Sequence, residues 1–111
     1  DARLTAETLV LADVRGHPSH GVSRLRQYTR LLTSGSIDPA ARHERVARRA
    51  AFEVWDARHG LGPAVGHRAM ARAIVLARRA GIGAVGSGGG GGAGGSVGSL
   101  DTRRLFYHRA R

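Results

Sequence analysis

Two hydroxyls, an imidazole and a guanidinium lie together in Ser19-His20-Gly21-Val22-Ser23-Arg24, and this stretch concentrates groups at spacings that chemistry can use. If Ser19 caps a helix that Gly16 and Pro18 separate from a preceding one, His20, Ser23 and Arg24 stand at i, i+3 and i+4 and share one helical face. Such a face suits a small acid. A guanidinium grips a planar carboxylate through two parallel hydrogen bonds. An imidazole beside it donates to, or exchanges a proton with, a neighbouring carbonyl or hydroxyl oxygen. The same residue types also make an ordinary cap followed by a solvated helix face, and residue identity alone leaves both readings open.

The elements that must position this stretch follow from apolar periodicity. Leu4, Leu11 and Val14, with Val10 beside them, predict a short amphipathic helix that Gly16 stops. Val22, Leu25, Tyr28, Leu31 and Leu32 predict a second helix over Ser19–Ser34 with Gly35 as its left-handed cap and Tyr28 as a core-edge aromatic. Ser36-Ile37-Asp38-Pro39 then breaks helical character, because the residue before a proline is pushed to extended geometry. Beyond this connection, Arg45–Ala47 reads as a short strand and Ala51–Asp56 as a longer one, with Phe52 and Val54 on one face, Glu53 on the other and Trp55 as a buried anchor. Arg58–Pro63 is a turn cluster, and Pro63 suits the first position of a helix. Val65, Ala69, Ala73, Ala77 and Ala80 give that helix a narrow small-residue stripe, widened by Met70, Ile74 and Leu76, for close packing on a sheet. Gly81 ends the helix, His67 falls off its stripe, and Ile82–Val85 reads as a buried strand. The succession is strand, helix, strand.

With 111 residues, 41% of them apolar, the chain suffices for one small domain or part of a larger one. The absence of cysteine removes disulfides and thiolate metal sites. His17, His43, His59 and His108 lack zinc-ligand spacing, so no metal site is expected. No apolar run approaches membrane-spanning length. A first residue other than Met suggests a truncated amino end, and the lack of a secretory pattern suggests a cytoplasmic protein. The net charge of +10 comes from arginine alone, 18 residues spread along the chain. Its pairs, Arg48-Arg49, Arg78-Arg79 and Arg103-Arg104, are not interleaved with stacking aromatics. An Arg-rich protein binding nucleic acid or a partner protein is therefore the alternative rather than the first reading. Gly86–Gly95 contains G-x-G-x-x-G after a strand, but any glycine run does, and no periodic helix opens behind it. It reads as a flexible low-complexity segment. The basic end, Leu100–Arg111, holds Leu105, Phe106 and Tyr107 and suits a short helix.

Asp13-Val14-Arg15-Gly16-His17-Pro18-Ser19-His20-Gly21-Val22-Ser23-Arg24-Leu25, with Tyr28, Gly35-Ser36-Ile37-Asp38-Pro39, Gly60-Leu61-Gly62 and Gly81-Ile82-Gly83-Ala84-Val85, resembles the malate/L-lactate dehydrogenase family, which is distinct from the Rossmann-type lactate dehydrogenases. The resemblance covers about residues 2–85. It implies an α/β (α+β) fold, with a helical amino-terminal subdomain over 1–38 and the start of an incomplete α/β domain over 39–85. A Gly-rich segment (86–99) and a basic tail (100–111) follow. It also implies a cytoplasmic homodimer moving hydride between NAD or NADP and small 2-hydroxy, 2-oxo or imino acids. Arg24 would hold the substrate carboxylate, His20 would stand near the reacting oxygen, and Ser19 would be the neighbouring polar group. One departure is large. The family carries a segment resembling S-x-H-F/Y-G whose histidine is the general acid/base, and its position here falls near Gly91 or Gly92. We therefore expect residues from Gly86 onward to be foreign to the family, most of the cofactor site to be missing, and the chain alone to be inactive and marginally stable, with exposed apolar surface.

Overall fold

The computed structural model describes residues 1–89 and 97–101. Three helices, α1 (Ala2–Val14), α2 (Leu25–Thr33) and α3 (Gly62–Ala80), accompany four strands, β1 (Glu44–Arg48), β2 (Phe52–Asp56), β3 (Ile82–Gly88) and β4 (Val97–Asp101). The strands form one mixed sheet in the order β1-β2-β3-β4. β1 and β2 are an antiparallel pair with a bulge between Arg45 and Ala47, β2 and β3 are parallel, and β4 is antiparallel to β3. The expected strand–helix–strand unit is therefore present as β2–α3–β3. It is an α/β fold preceded by a helical segment.

Helix α3 lies on one face of the sheet, and its small residues are what allow this. Ala69, Ala73 and Leu76 pack with Trp55 and Val85. Ala73 and Ala77 come so close to β3 that a Cβ on Gly83 would overlap the Ala73 carbonyl and the Ala77 nitrogen. Of the expected face, Leu76 is buried with the stripe, while Ala80 and Met70 are exposed. The opposite face of the sheet carries Phe52 and Ile82, which are exposed, as the expected apolar surface.

Strand β2 has the expected facing, with Phe52 and Val54 on one side and Glu53 on the other, and it is the Glu53 side that the helix covers. Glu53 and Trp55 point under α3, while Phe52 is exposed. Alternate residues share a face, so a buried Trp55 requires a buried Glu53. Three donors meet that charge. Arg72 donates to Glu53 Oε1 from Nη2 at 2.6 Å and from Nε at 3.0 Å, and the Trp55 indole N–H donates to Oε2 at 3.1 Å. Arg45 adds an ion pair at 3.6 Å.

A second cluster gathers Ile37, Leu61 and Ala64 with Leu4, Tyr28 and Leu31 against it, joining α1, α2 and the start of α3. Asp1, which precedes α1, forms an ion pair with Arg68 in the first half of α3. Of the apolar repeat expected to bury α1, Leu4 packs inward and the rest turns outward. Thr5 and Leu9 are its buried residues, while Val10, Leu11 and Val14 line a shallow exposed groove with Ala6 and Glu7.

Glycine stops fall where expected. Gly16 takes φ +78°, and the Gly16 and His17 amides return to the Asp13 and Ala12 carbonyls at 3.0 and 2.8 Å. Gly81 takes φ +82° with open space around its absent Cβ. Gly81→Ala therefore meets only the backbone cost of the left-handed region, about 1 kcal/mol, measurable as a lower urea midpoint.

The carboxy-terminal part departs from expectation. β3 runs three residues past Val85, and Leu100 and Asp101 belong to β4 rather than to a helix. The rest of the Gly-rich segment, 90–96, and the tail from 102 lie outside the described residues.

Candidate functional site

The chain between α1 and α2 does not form the single helix expected over Ser19–Ser34. Two 3₁₀ turns, Pro18–His20 and Val22–Arg24, are separated by Gly21, whose φ of −93° and ψ of −151° are extended. Ser19 lies inside the first turn, and His17 rather than Ser19 precedes it as the cap. His20, Ser23 and Arg24 consequently do not share a continuous helical face. They are held instead by bonds that cross Gly21.

Arg24 donates from Nε to the Ser19 carbonyl at 2.7 Å and from Nη1 to Gln27 Oε1 at 2.9 Å. The guanidinium plane is thereby fixed in an exposed position, and its Nη2 hydrogens remain to meet an anion. Ser23 donates its hydroxyl to the Pro18 carbonyl at 2.7 Å, a structural bond that occupies the group. Ser19 Oγ stands 3.0 Å from His20 Nδ1. A hydroxyl donating to Nδ1 leaves the imidazole proton on Nε2, where it can reach an external oxygen. The arrangement offers a guanidinium for a carboxylate and an oriented imidazole for a neighbouring oxygen.

Two residues of this turn carry roles that residue type did not disclose. Asp13, at the end of α1, accepts the Val22 backbone N–H at 2.9 Å, and Gln27 orients Arg24. Asp13 lies across two glycines from its partner, so periodicity gave no signal for it. The spacing of Gln27, three residues after Arg24, did.

The carboxy ends of β2 and β3, where parallel sheets commonly receive ligands, are closed by their own backbone. Ala57 and His59 donate to the Gly88 and Gly89 carbonyls at 2.7 and 2.6 Å, and Asp56 Oδ1 accepts the Arg58 amide at 2.8 Å. Arg58 and His59 take φ of 48° and 60° to make this turn. His59 is a turn residue, as its neighbours in sequence suggested.

A Rossmann-type dinucleotide cradle, which needs strand, glycine loop and then a helix amino terminus, is absent from the described residues. Here the glycine run lies between β3 and β4, which are antiparallel neighbours. Residues 91 and 92, where the family histidine would stand, fall outside the described residues. Among the described residues, no group of three or more His, Asp or Glu side chains gathers into a metal site, and no helix is long and apolar enough to cross a membrane. Five of the described arginines face carboxylates. Arg45 and Arg72 turn to Glu53, Arg68 to Asp1, Arg58 to Glu44 and Arg3 to Glu7.

Comparison with known proteins gives one consistent outcome. The family model described as malate/L-lactate dehydrogenase matches residues 1–91. A malate dehydrogenase from Pyrococcus abyssi is 40% identical over 85 residues, covering 77% of this chain and 24% of that protein. An L-sulfolactate dehydrogenase from Methanocaldococcus jannaschii is 41% identical over 85 residues, again covering 77% of this chain and 25% of the relative. The solved malate dehydrogenase of Pyrococcus horikoshii superposes with a TM-score of 0.74 at 37% identity, over 78% of this chain and 25% of that one. The chain thus spans about a quarter of the length of the relatives it matches.

Proposed function

Since the chain belongs to the malate/L-lactate dehydrogenase family, we propose that it supplies the substrate-carboxylate side of an oxidoreductase that moves hydride to or from a small 2-hydroxy or 2-oxo acid. The observation that carries this reading is the fixed Arg24 guanidinium beside the Ser19–His20 pair. The helical segment through Asp38 presents the turn, and residues 39–85 form the α/β support. Arg24 binds the substrate carboxylate, and Ser19 orients His20. His20 Nε2 donates a hydrogen bond to the oxygen on C2, polarising the carbonyl toward hydride. The hydride partner in this reading is NAD or NADP. The described residues form no Rossmann-type cradle for it, so what they support is binding and orientation of the acid. The assembly in this reading is a homodimer.

The names of the matched relatives bear on substrate class. Malate and sulfolactate are both small acids with a hydroxyl next to a carboxylate, which suits one guanidinium and one imidazole carried by the same turn. Titration of the chain with pyruvate, followed by amide chemical shifts, tests the reading. Saturable shifts at residues 19–24 are expected. Arg24→Ala should weaken the affinity by about tenfold or more, the scale of losing a charge-assisted pair. Absence of saturable shifts, or an affinity indifferent to Arg24→Ala, would refute it.

A further inference from the structure

We propose that Asp13 is the positioning residue of the carboxylate-binding turn, pinning the Gly21–Val22 peptide to the end of α1 so that Arg24 and His20 are presented together. This rests on the proposed roles of Arg24 and His20 toward a small acid. Four observations carry it. Asp13 Oδ2 accepts the Val22 N–H at 2.9 Å, a bond that fastens the second 3₁₀ turn to α1 through a side chain. The Asp13 carboxylate lies against Gly21 so closely that a Cβ there would overlap it. Gly21 is buried although its neighbours in the turn are exposed. The bonds that fix Arg24, from its Nε to the Ser19 carbonyl at 2.7 Å and from its amide to the Gly21 carbonyl at 3.0 Å, both depend on the conformation at Gly21.

The placement of Asp13 is otherwise unfavourable. A carboxylate in the last turn of a helix opposes the helix dipole. The cross-turn bond gives it a use that local helix stability does not. Gly21 has a matching explanation. Its φ and ψ are open to other residues, so glycine is required here by the close approach of Asp13 rather than by backbone conformation. Without that bond, rotation about Gly21 separates the Ser19 carbonyl from Arg24. The guanidinium then loses the contact that orients it.

The test uses the full 111-residue chain at low temperature, with folding of each variant checked by amide protection in α3 and β3. Two quantities are read together: hydrogen exchange at the Val22 amide, and the affinity for pyruvate. Asp13→Ala should abolish Val22 protection and weaken pyruvate binding by about tenfold. Asp13→Asn, which keeps an acceptor oxygen, should retain most of both. Gly21→Ala should resemble Asp13→Ala, and the double variant Gly21→Ala with Asp13→Ala should be no worse than either alone, because the overlap is gone. Lost Val22 protection with unchanged affinity overturns the positioning role while leaving the reading of Arg24 intact. Unchanged Val22 protection in Asp13→Ala overturns the proposal at its first step. A wild-type chain that does not bind pyruvate overturns the functional reading and the positioning role with it, whatever Val22 does. A merely structural Asp13 would lower the unfolding midpoint without moving the low-temperature affinity, and that result also counts against the proposal.

Discussion

Glu53→Ala should lower the stability of the chain by about 3 kcal/mol, a drop of more than roughly 10 °C in Tm for a domain of this size. Glu53 is 1% exposed and sits under α3. Removing it deprives the Trp55 indole N–H of its acceptor and leaves Arg72 facing the core. An orphaned buried donor costs on the order of 1–3 kcal/mol. The stranded guanidinium adds less than the full penalty of a buried charge, because the Arg72 side chain is 26% exposed and can swing toward water. Equilibrium urea unfolding checks the figure. A loss below about 1 kcal/mol would mean that the Glu53 cluster is solvated rather than built into the core.

The same group sets an acid limit. The Arg72 hydrogen bond holds the Glu53 carboxyl below the usual carboxylate range, against burial, which pushes it up; the Trp55 N–H and the charges of Arg72 and Arg45 add to the lowering. A carboxyl whose folded-state pKa is depressed contributes stability that is complete above its unfolded value, about 4.3, and is lost as pH falls through the lower folded value. His43 works in the same direction. It stacks on Trp55 with ring centroids 3.9 Å apart, and burial, then the Arg68 charge, hold it below the ordinary histidine range despite Glu53. Its contribution is complete above the unfolded histidine value and fades as pH drops below it. The wild-type unfolding midpoint should therefore decline in two stages on acidification. In Glu53→Gln the lower stage should be missing.

Much of this framework was legible in the sequence because it rests on local rules. Pro63 and Gly81 mark the ends of α3, the alanine stripe predicts its contact with a sheet, and the run from Ala51 to Val85 predicts the strand–helix–strand succession, which the fold realises as a parallel pair. Strand facing was legible as alternation, but which face the helix covers was not, because two local signals conflict. Phe52 and Val54 favour one face by hydrophobicity, while Trp55 favours the other, and strict alternation forbids both. The helix resolves the conflict by covering Trp55 and supplying Arg72 to Glu53. The candidate site was legible by residue type and misread in geometry. Ser19, His20 and Arg24 are adjacent as expected, but Gly21 breaks the helix that periodicity extended through them, because Asp13 occupies the space beside it. Contacts of that kind, between a helix end and a turn beyond two glycines, leave no periodic trace.

Gly83→Ala should destabilise the chain by about 3 kcal/mol or more, whereas the same chemical change two residues earlier, at Gly81, costs about 1 kcal/mol. The contrast separates two reasons for a glycine. Gly81 needs φ of +82° and has empty space around it; Gly83 has no such φ and no space. The atoms that a Cβ on Gly83 would meet are the Ala73 carbonyl oxygen, the Ala77 nitrogen and Leu76 Cβ. Two of them are backbone and cannot rotate away, so α3 must lift from β3 to admit one methyl group. Ala73 and Leu76 also pack on Trp55. Lifting α3 should therefore expose the indole and redshift its fluorescence in the native state, a change absent from Gly81→Ala. Leu76→Ala added to Gly83→Ala should not restore stability, because alanine keeps the Leu76 Cβ that the new methyl would meet and the change opens a cavity. A Gly83→Ala chain as stable as Gly81→Ala would show that α3 and the sheet are not in close contact. In that case the small-residue stripe would not be what seats the helix.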